Sequence, residues 1–437
     1  MSEKLQPIRG THDLLPDEFE KFHAVTTVAR DLANLYGFRE MATPIFEATE
    51  VFKRSMGETS DVVSKEMFAF ETRGGESVCL RPEFTAGIAR AFISGGMQQH
   101  LPLKLFSTGP LFRYERPQKG RQRQFHQVNF EWLGDDSAEA DVEMICLAGH
   151  LLRSLGAKDC TLLINTLGDK ESRTRYRDAL VAYLTPYTPH LSEDSQRRLR
   201  ENPLRILDSK DPQDKEITKD APRINEYLSD SSRTRHAHII KALSNRERAF
   251  SQKVVEDPSL VRGLDYYTDT VFEFVADMGD LGAQNTILAG GRYDGLIEQM
   301  GGKPTPAVGF AAGVERLLLL RPDAAAQPPD SKIFIMPLDG VESWIVHSIT
   351  GILRNCLDIM LLKKRKRAVH SVEVFWQGKL GKRMEKAAKA GATHVIILGD
   401  ELKEGKATLK HMKTGNQVLI PIHPADKLLD LAEQLTQ

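Results

Sequence analysis

Arg113, Glu115, Gln127 and Glu131 are the side chains of this chain best placed to act together on a small polar ligand. They fall on two alternating runs within TGPLFRYERPQKGRQRQFHQVNFEWLG, residues Thr108–Gly134. Strand parity sends Arg113 and Glu115 to one side and Phe112 and Tyr114 to the other. In the second run it groups Gln127, Asn129 and Glu131 against Val128, Phe130 and Trp132. The loop between them carries Arg116, Lys119, Arg121 and Arg123 around Pro117 and Gly120. A planar guanidinium suits bidentate contact with a phosphate, and a carboxylate accepts from an amine or a ring N–H. The predicted hairpin could therefore hold an anion, a polar base and a hydrogen-bonding or cationic ligand at once. On pattern alone it could equally be a solvated amphipathic hairpin.

Four further stretches carry candidate chemistry. In VCLRPEFTA, Val78–Ala86, a strand ends at Arg81-Pro82, and Glu83 and Thr85 then share a side of the next element. Glu83 would also be at home in the first turn of a helix, where the macrodipole favours an anion. LVRGLDYYTDTVFEFVA, Leu260–Ala276, sets Arg262 and the pair Tyr266–Tyr267 ahead of a β-rich segment at Thr270–Val275. Paired tyrosines in isolation read as packing at the edge of a core. In AGGRYDGLIEQMGG, Gly290 and Gly291 let the backbone approach a ligand where a Cβ would intrude, and Tyr293 comes two residues later. In AVGFAAGVERLLLL, Ala307–Leu320, a strand runs into a helix; Gly309 and Gly313 bare one side and Arg316 projects from it.

FRYERPQKGRQRQFHQ resembles motif 2 of the class II aminoacyl-tRNA synthetases, in the form found in histidyl-tRNA synthetases. The run FREMATPIFEATEVF with Pro44 resembles motif 1, and AVGFAAGVERLLLL motif 3. RGLDYY and AGGRYDG resemble the two blocks particular to the histidyl family. The resemblance covers nearly the whole chain, and what it implies is specific. Arg113 grips the ATP α-phosphate, Glu115 meets the adenine amino group, and Arg316 stacks on adenine and contacts the γ-phosphate. Arg262 reaches the α-phosphate in a role that a metal ion fills in other class II enzymes. Glu83, assisted by Thr85, holds the α-ammonium of histidine. Gln127, Glu131, Tyr266, Tyr267 and Tyr293 complete the amino-acid pocket, with Glu131 and Tyr267 on the imidazole. Gln118 and Arg123 are placed to read the tRNA acceptor end. The implied activity is two-step: L-histidine and ATP give histidyl-adenylate, and the histidyl group passes to the 3′ end of tRNA(His), with Mg²⁺ on the outer phosphates. A homodimer is the implied state.

These residues need elements to hold them. A helix starting after Pro16 continues through Val25, Val28, Leu32 and Leu35 and stops at Gly37. Ser137–Ser154 reads as a helix and Thr161–Asn165 as a strand. The resemblance implies an α+β fold: an antiparallel-sheet catalytic domain over residues 1–325, interrupted by a helical insertion at about 169–253, and an anticodon-binding α/β domain at 332–437. The insertion region is broken by five prolines, Pro186 to Pro222, and rich in Arg, Asp and Ser. RPDAAAQPPDS, Arg321–Ser331, is a linker. Beyond it, KIFIMPL, SVEVFW and HVIILG are three strands with helical runs between them, followed by a polar hairpin at Lys413–Asn416 and a closing helix.

Composition fits this reading. No apolar run is long enough to span a bilayer, and Met1–Gly10 lacks the apolar core of a signal peptide. Cys79, Cys146, Cys160 and Cys356 are scattered without a CxxC, so a reducing cytoplasm is the expected compartment. The net charge of −1 hides a run, Lys363 to Lys413, with fourteen Lys and Arg against five Asp and Glu. Such a segment suits RNA or a solvated surface. KKRKR, residues 363–367, could touch phosphates, act as a nuclear signal or simply end a helix. His236 and His238 have no second ligand cluster nearby and are expected to be solvated, so no side-chain metal site is assigned. Three other readings stay open. They are a catalytically silent regulatory paralogue of histidine biosynthesis, a non-enzymatic RNA-binding or dimerisation module, and a sister synthetase for another amino acid.

Overall fold

The computed structural model describes residues 5–57, 60–118, 120–157, 160–244, 252–261, 266–276, 286–320, 331–364, 370–376, 378–423 and 426–435. Arg262, Lys119, the linker residues 321–330 and most of KKRKR lie outside them. The chain divides into two compact units, Met1–Ala324 and Ala325–Gln437.

The first unit is built on an eight-stranded sheet. Its strands are β1 (Arg39–Glu40), β5 (Leu103–Phe112), β6 (Gln124–Leu133), β7 (Cys160–Thr166), β8 (Lys253–Glu256), β9 (Thr268–Ala276), β10 (Thr286–Arg292) and β11 (Ala307–Gly313). They lie in the order β1-β5-β6-β11-β10-β9-β7-β8, antiparallel except at the two edges. Beside it, β2 (Phe46–Ala48), β3 (Ala69–Glu71) and β4 (Ser77–Leu80) form a small antiparallel sheet.

Parity decides which face does what. Val128 and Phe130 of β6 point into one core with Phe272 of β9 and Phe310 of β11, and the rings of Phe130 and Phe310 stack at 4.7 Å. Helices α1 (Pro16–Leu35), α4 (Ala138–Ser154) and α8 (Asp230–Ser244) cover that face. Proline in the first turn and two acidic residues, Asp17 and Glu18, start α1. Gly37, at φ +78°, takes the chain out of it, and Leu35 faces water. Ser137 caps α4 by accepting from the Ala140 amide. The opposite face of the sheet is flanked by α2 (Thr49–Met56), α3 (Thr85–Ser94) and the short α9 (Leu296–Gln299), whose apolar residues form a second core. Glu83, Thr85, Glu131, Tyr266, Tyr267 and Tyr293 lie on this second face.

Between β7 and β8 the chain runs through α5 (Lys170–Leu184), α6 (Glu193–Glu201), α7 (Pro212–Thr218) and α8. Asp214 anchors this helical insertion; its carboxylate accepts from the hydroxyls of Ser192, Ser195 and Ser209. Motif 3 continues from β11 into α10 (Val314–Leu320).

The second unit has its own five-stranded sheet, in the order β13-β12-β14-β15-β16. β12 (Ser331–Pro337), β13 (His370–Val374) and β14 (His394–Leu398) are parallel. β15 (Lys406–His411) and β16 (Gln417–Pro421) form the polar hairpin. Helices α11 (Ser343–Lys364), α12 (Leu380–Lys389) and α13 (Asp426–Leu435) connect and close it.

Candidate active site

Ten of the thirteen residues singled out in the sequence line one cavity of about 580 Å³: Glu83, Thr85, Arg113, Glu115, Gln127, Glu131, Tyr266, Tyr267, Tyr293 and Arg316. That volume suits a small ligand or cofactor. Its floor is the row in which Glu131 of β6 pairs with Gly309 of β11, and Gly309 in turn with Gly291 of β10. A Cβ on Gly309 would stand 1.6 Å from Glu131 Oε2, and one on Gly291 would stand 2.8 Å from the Tyr267 ring. The two glycines make the room that a carboxylate and a phenol ring occupy.

Glu131 is the buried centre of one end. Thr85 Oγ1 donates to its Oε1 at 2.5 Å, Asn129 Nδ2 donates to the same oxygen at 3.1 Å, and the Tyr293 hydroxyl donates to Oε2. Burial still outweighs these three donors and pushes its carboxyl up to about 7, with Glu83 nearby adding to the rise. Glu83 accepts from the amides of Thr85 at 2.6 Å and Ala86 at 2.7 Å, at the N-terminus of α3. Burial raises its pKa as well, against the pull of those amides and of Arg113. Glu83 thus both caps a helix N-terminus and lines the cavity. Tyr266 packs against Tyr267 at 4.8 Å and Tyr293 at 5.6 Å between ring centroids. Because β9 begins only at Thr268, strand parity does not separate the two neighbouring tyrosines, and both face inward.

The other end is cationic. Arg113 comes directly after β5, its Nε donating to the Pro82 carbonyl at 3.0 Å. Arg316 rises from α10 and donates to the carbonyls of Gly120 and Thr286. Burial lowers its pKa first, and the neighbouring Arg121 and Arg113 lower it further, while Glu115 and Glu273 act against them. Glu115 pairs with Arg121 at 2.9 Å. Guanidiniums gathered so closely call for an anion.

Two predicted residues lie elsewhere. Arg123 is turned away from the cavity: its guanidinium lies 3.9 Å over the Tyr114 ring, and its amide donates to the Gly10 carbonyl at 2.7 Å. Gln118 is exposed in a tight turn, exchanging backbone hydrogen bonds with Arg121. Gly309 and Gly313 both sit on β11, so it is strand parity, and not a helical turn, that puts them on one side.

Several site residues had no readable signal. Glu315 clamps motif 2, accepting from both the amide and the Nδ1–H of His126 at 2.9 Å. Glu273 accepts from Thr286 at 2.6 Å and lines the cavity. Leu207, Asp208 and Lys210 bring the helical insertion to its wall. Asn129 was visible by parity alone. No group of three His, Cys, Asp or Glu side chains converges to hold a metal ion among the described residues. His236 and His238 instead pair with Glu256 and Glu139, each at 3.0 Å. No helix among the described residues is long and apolar enough to cross a membrane.

Residues 10–317 match the family model described as histidyl-tRNA synthetase, and residues 364–430 match one described as an anticodon binding domain. A histidine–tRNA ligase of Rhodospirillum rubrum is 48% identical over 429 residues, 97% of this chain and 98% of that protein. The apo histidyl-tRNA synthetase of S. aureus superposes with a TM-score of 0.79 at 31% identity, over 99% of this chain and 100% of that one. A protein of Bacillus halodurans, described as an ATP phosphoribosyltransferase regulatory subunit/histidyl-tRNA synthetase, shares the fold, with a TM-score of 0.59 at 21% identity over 91% of this chain and 99% of that one.

Proposed function

The chain belongs to the histidyl-tRNA synthetase family, and from that premise we propose that it activates L-histidine with ATP and esterifies the 3′ end of tRNA(His). The observation that carries this is one cavity with two unlike ends, guanidiniums at one and buried carboxyls ringed by phenols at the other. Two buried carboxyls suit a ligand that brings an ammonium and a ring N–H, which histidine does.

In the first step an oxygen of the histidine carboxylate attacks the α-phosphorus of ATP in line. The bond to the bridging oxygen breaks and pyrophosphate leaves with the electron pair. Arg113, with Arg262 outside the described residues, offsets charge growing on the α-phosphate; Glu115 takes the adenine amino group, and Arg316 lies against adenine and the γ-phosphate. Glu83 and Thr85 hold the ammonium. Glu131 and Tyr267 recognise the imidazole, with Gln127, Tyr266 and Tyr293 around them. In the second step the terminal ribose hydroxyl attacks the histidyl carbonyl, and AMP leaves. Side-chain nucleophiles take no part. Magnesium brought in with ATP would add to the charge offset on the outer phosphates, and no group of three His, Cys, Asp or Glu side chains is assigned to hold it among the described residues.

Gln118 and Arg123 sit on a loop outside the cavity, so any part they play belongs to the second step, against the acceptor end. Ile45, Phe46 and Phe70 expose apolar surface around the small sheet, which supports a homodimer formed through the motif 1 region. Four free, buried cysteines fit a cytoplasmic protein. The silent regulatory paralogue is the weaker alternative, since the chain matches the anticodon-binding family and its relatives at nearly half identity are named ligases.

Histidine-dependent ATP–pyrophosphate exchange tests the reading, with Arg113→Ala as control. Exchange with histidine alone among the amino acids, lost in the variant, is the expected result. A folded protein that binds histidine but exchanges nothing would overturn it in favour of the paralogue.

A further inference from the structure

We propose that Asn129 is a positioning residue for histidine recognition, its amide nitrogen holding Glu131 as an ionised acceptor while its amide oxygen receives an N–H of the bound amino acid. This rests on the reading of the cavity as the histidine pocket. Asn129 stands two residues before Glu131 on the same face of β6, is 2% exposed, and lines the cavity. Its Nδ2 donates to Glu131 Oε1 at 3.1 Å. Its Oδ1 is buried with no hydrogen-bond partner among the described residues. A buried amide oxygen without a partner is an acceptor short of a donor, and on a residue that lines this cavity a bound ligand can supply one.

The chemistry of the three groups on Glu131 differs in one respect. The hydroxyls of Thr85 and Tyr293 can rotate to accept as well as donate, so they tolerate either protonation state of the carboxyl. The amide nitrogen can only donate. If Glu131 takes a proton on that side, the Asn129 amide must turn over to accept it. The turn would swing NH₂ to where the oxygen had faced the ligand, setting donor against donor. One amide thus ties the proton on Glu131 to the polarity that the ligand meets.

The setting makes this coupling matter near neutral pH, because burial holds the Glu131 carboxyl up at about 7. The other ionisable groups facing it are Glu83 from the turn before α3, Tyr266 and Tyr267 ahead of β9, and Tyr293 after β10. Arg113 acts through Glu83. Tyr266 and Tyr293 are pushed well above their ordinary range by burial and stay phenols. Glu83 is thus the neighbour whose charge works against Glu131, and Asn129 opposes that effect.

The test is Asn129→Leu, which keeps the shape and removes both polar functions, with Asn129→Ala in reserve if the leucine variant does not fold. Exchange kinetics and calorimetric titration with L-histidine are run from about pH 6 to about pH 9. KM and Kd for histidine should rise about tenfold or more at neutral pH and partly recover at the alkaline end, the profile moving up by roughly a pH unit. kcat and KM for ATP should stay within about threefold, since the hydrogen bond of Asn129 runs to Glu131 and not to Arg113 or Arg316. An unchanged KM, or a rise by the same factor at every pH, would overturn the proposal, because a packing defect has no pH signature. Were the wild-type protein to bind histidine without exchange, the synthetase reading would fail while the titration still judged Asn129.

Discussion

Substituting Gly309 by alanine puts a methyl group where Glu131 keeps its carboxylate. The built Cβ lies 1.6 Å from Oε2, 2.6 Å from the carboxyl carbon and 2.8 Å from the Phe130 carbonyl. The first two neighbours belong to a side chain, which can move; the third is backbone, which yields less. Glu131 moves only by giving up partners, and Oε2 is the atom that accepts from Tyr293. A hydrogen bond to a charged group contributes about 1.5–3 kcal/mol, and forcing a methyl into a filled site costs about 1–3 kcal/mol more. The first part falls on recognition and the second on stability. In histidine-dependent exchange, Gly309→Ala should therefore lower kcat/KM for histidine about 10- to 150-fold, while KM for ATP stays within about twofold because the arginine end is untouched. Gly313→Ala is the internal control. It shares the strand and the face, but its nearest neighbour is an Arg316 methylene at 3.8 Å, an ordinary contact, so activity should be near wild type. A folded Gly309→Ala enzyme with unaltered KM for histidine would refute the placement of Glu131 at the imidazole.

Burial sets two further outcomes. Glu131 carries a carboxyl raised from 4.5 to about 7, so the native chain binds a proton that the unfolded chain releases; its contribution to stability is full below about 4.5 and is lost as pH rises through 7. Glu131→Gln should flatten that part of the decline, so that its melting temperature relative to wild type improves from about pH 5 to about pH 8; parallel curves in a thermal-shift series would count against the raised carboxyl. Arg292 is fully buried, with Nε and Nη2 on Asp141 and Nη1 on Asp294. Arg292→Leu should cost about 3–5 kcal/mol in urea unfolding by leaving Asp141 underpaired, and a loss below about 1 kcal/mol would mean that Arg235 suffices for Asp141.

The parts of the site that could be read from the chain were those written in a local period. Alternation along β6 set Gln127, Asn129 and Glu131 on one face and Val128 and Phe130 on the other, and the first three line the cavity while the last two lie in the core. Polar pairs far apart in sequence left no such trace. Nothing in the order of residues joins Glu315 to His126, or Arg292 to Asp141, because the partners stand 189 and 151 residues apart and share no period. The motif 2 loop was hard to read for a different reason. Its cations look equivalent in sequence, yet the Gly10 carbonyl and the Tyr114 ring hold Arg123 on the outside, whereas Arg121 is drawn to Glu115 and lines the cavity.

The two ends of the cavity are also built differently, and the chemistry gives a reason. Discriminating histidine from other amino acids needs donors and acceptors fixed before the ligand arrives, since a buried group left unpaired by the wrong ligand is what creates selectivity. Glu131, Gly309 and Gly291, the candidate recognition row, lie on three adjacent strands in one register, where backbone pairing sets their positions. Adenylate formation has a changing geometry: pyrophosphate leaves and a ribose takes its place. Its candidate arginines stand at a strand end and on the first turn of a helix, beside a loop and the wall of an inserted domain, where a shift of an ångström disturbs no sheet. Substitutions beneath the glycine row should therefore act on KM for histidine. Substitutions in the loop at Arg121, or in the insertion at Asp208 and Lys210, should act on turnover and leave histidine affinity alone. A loop substitution that changed histidine affinity as much as Gly309→Ala would show that the two ends are not separable.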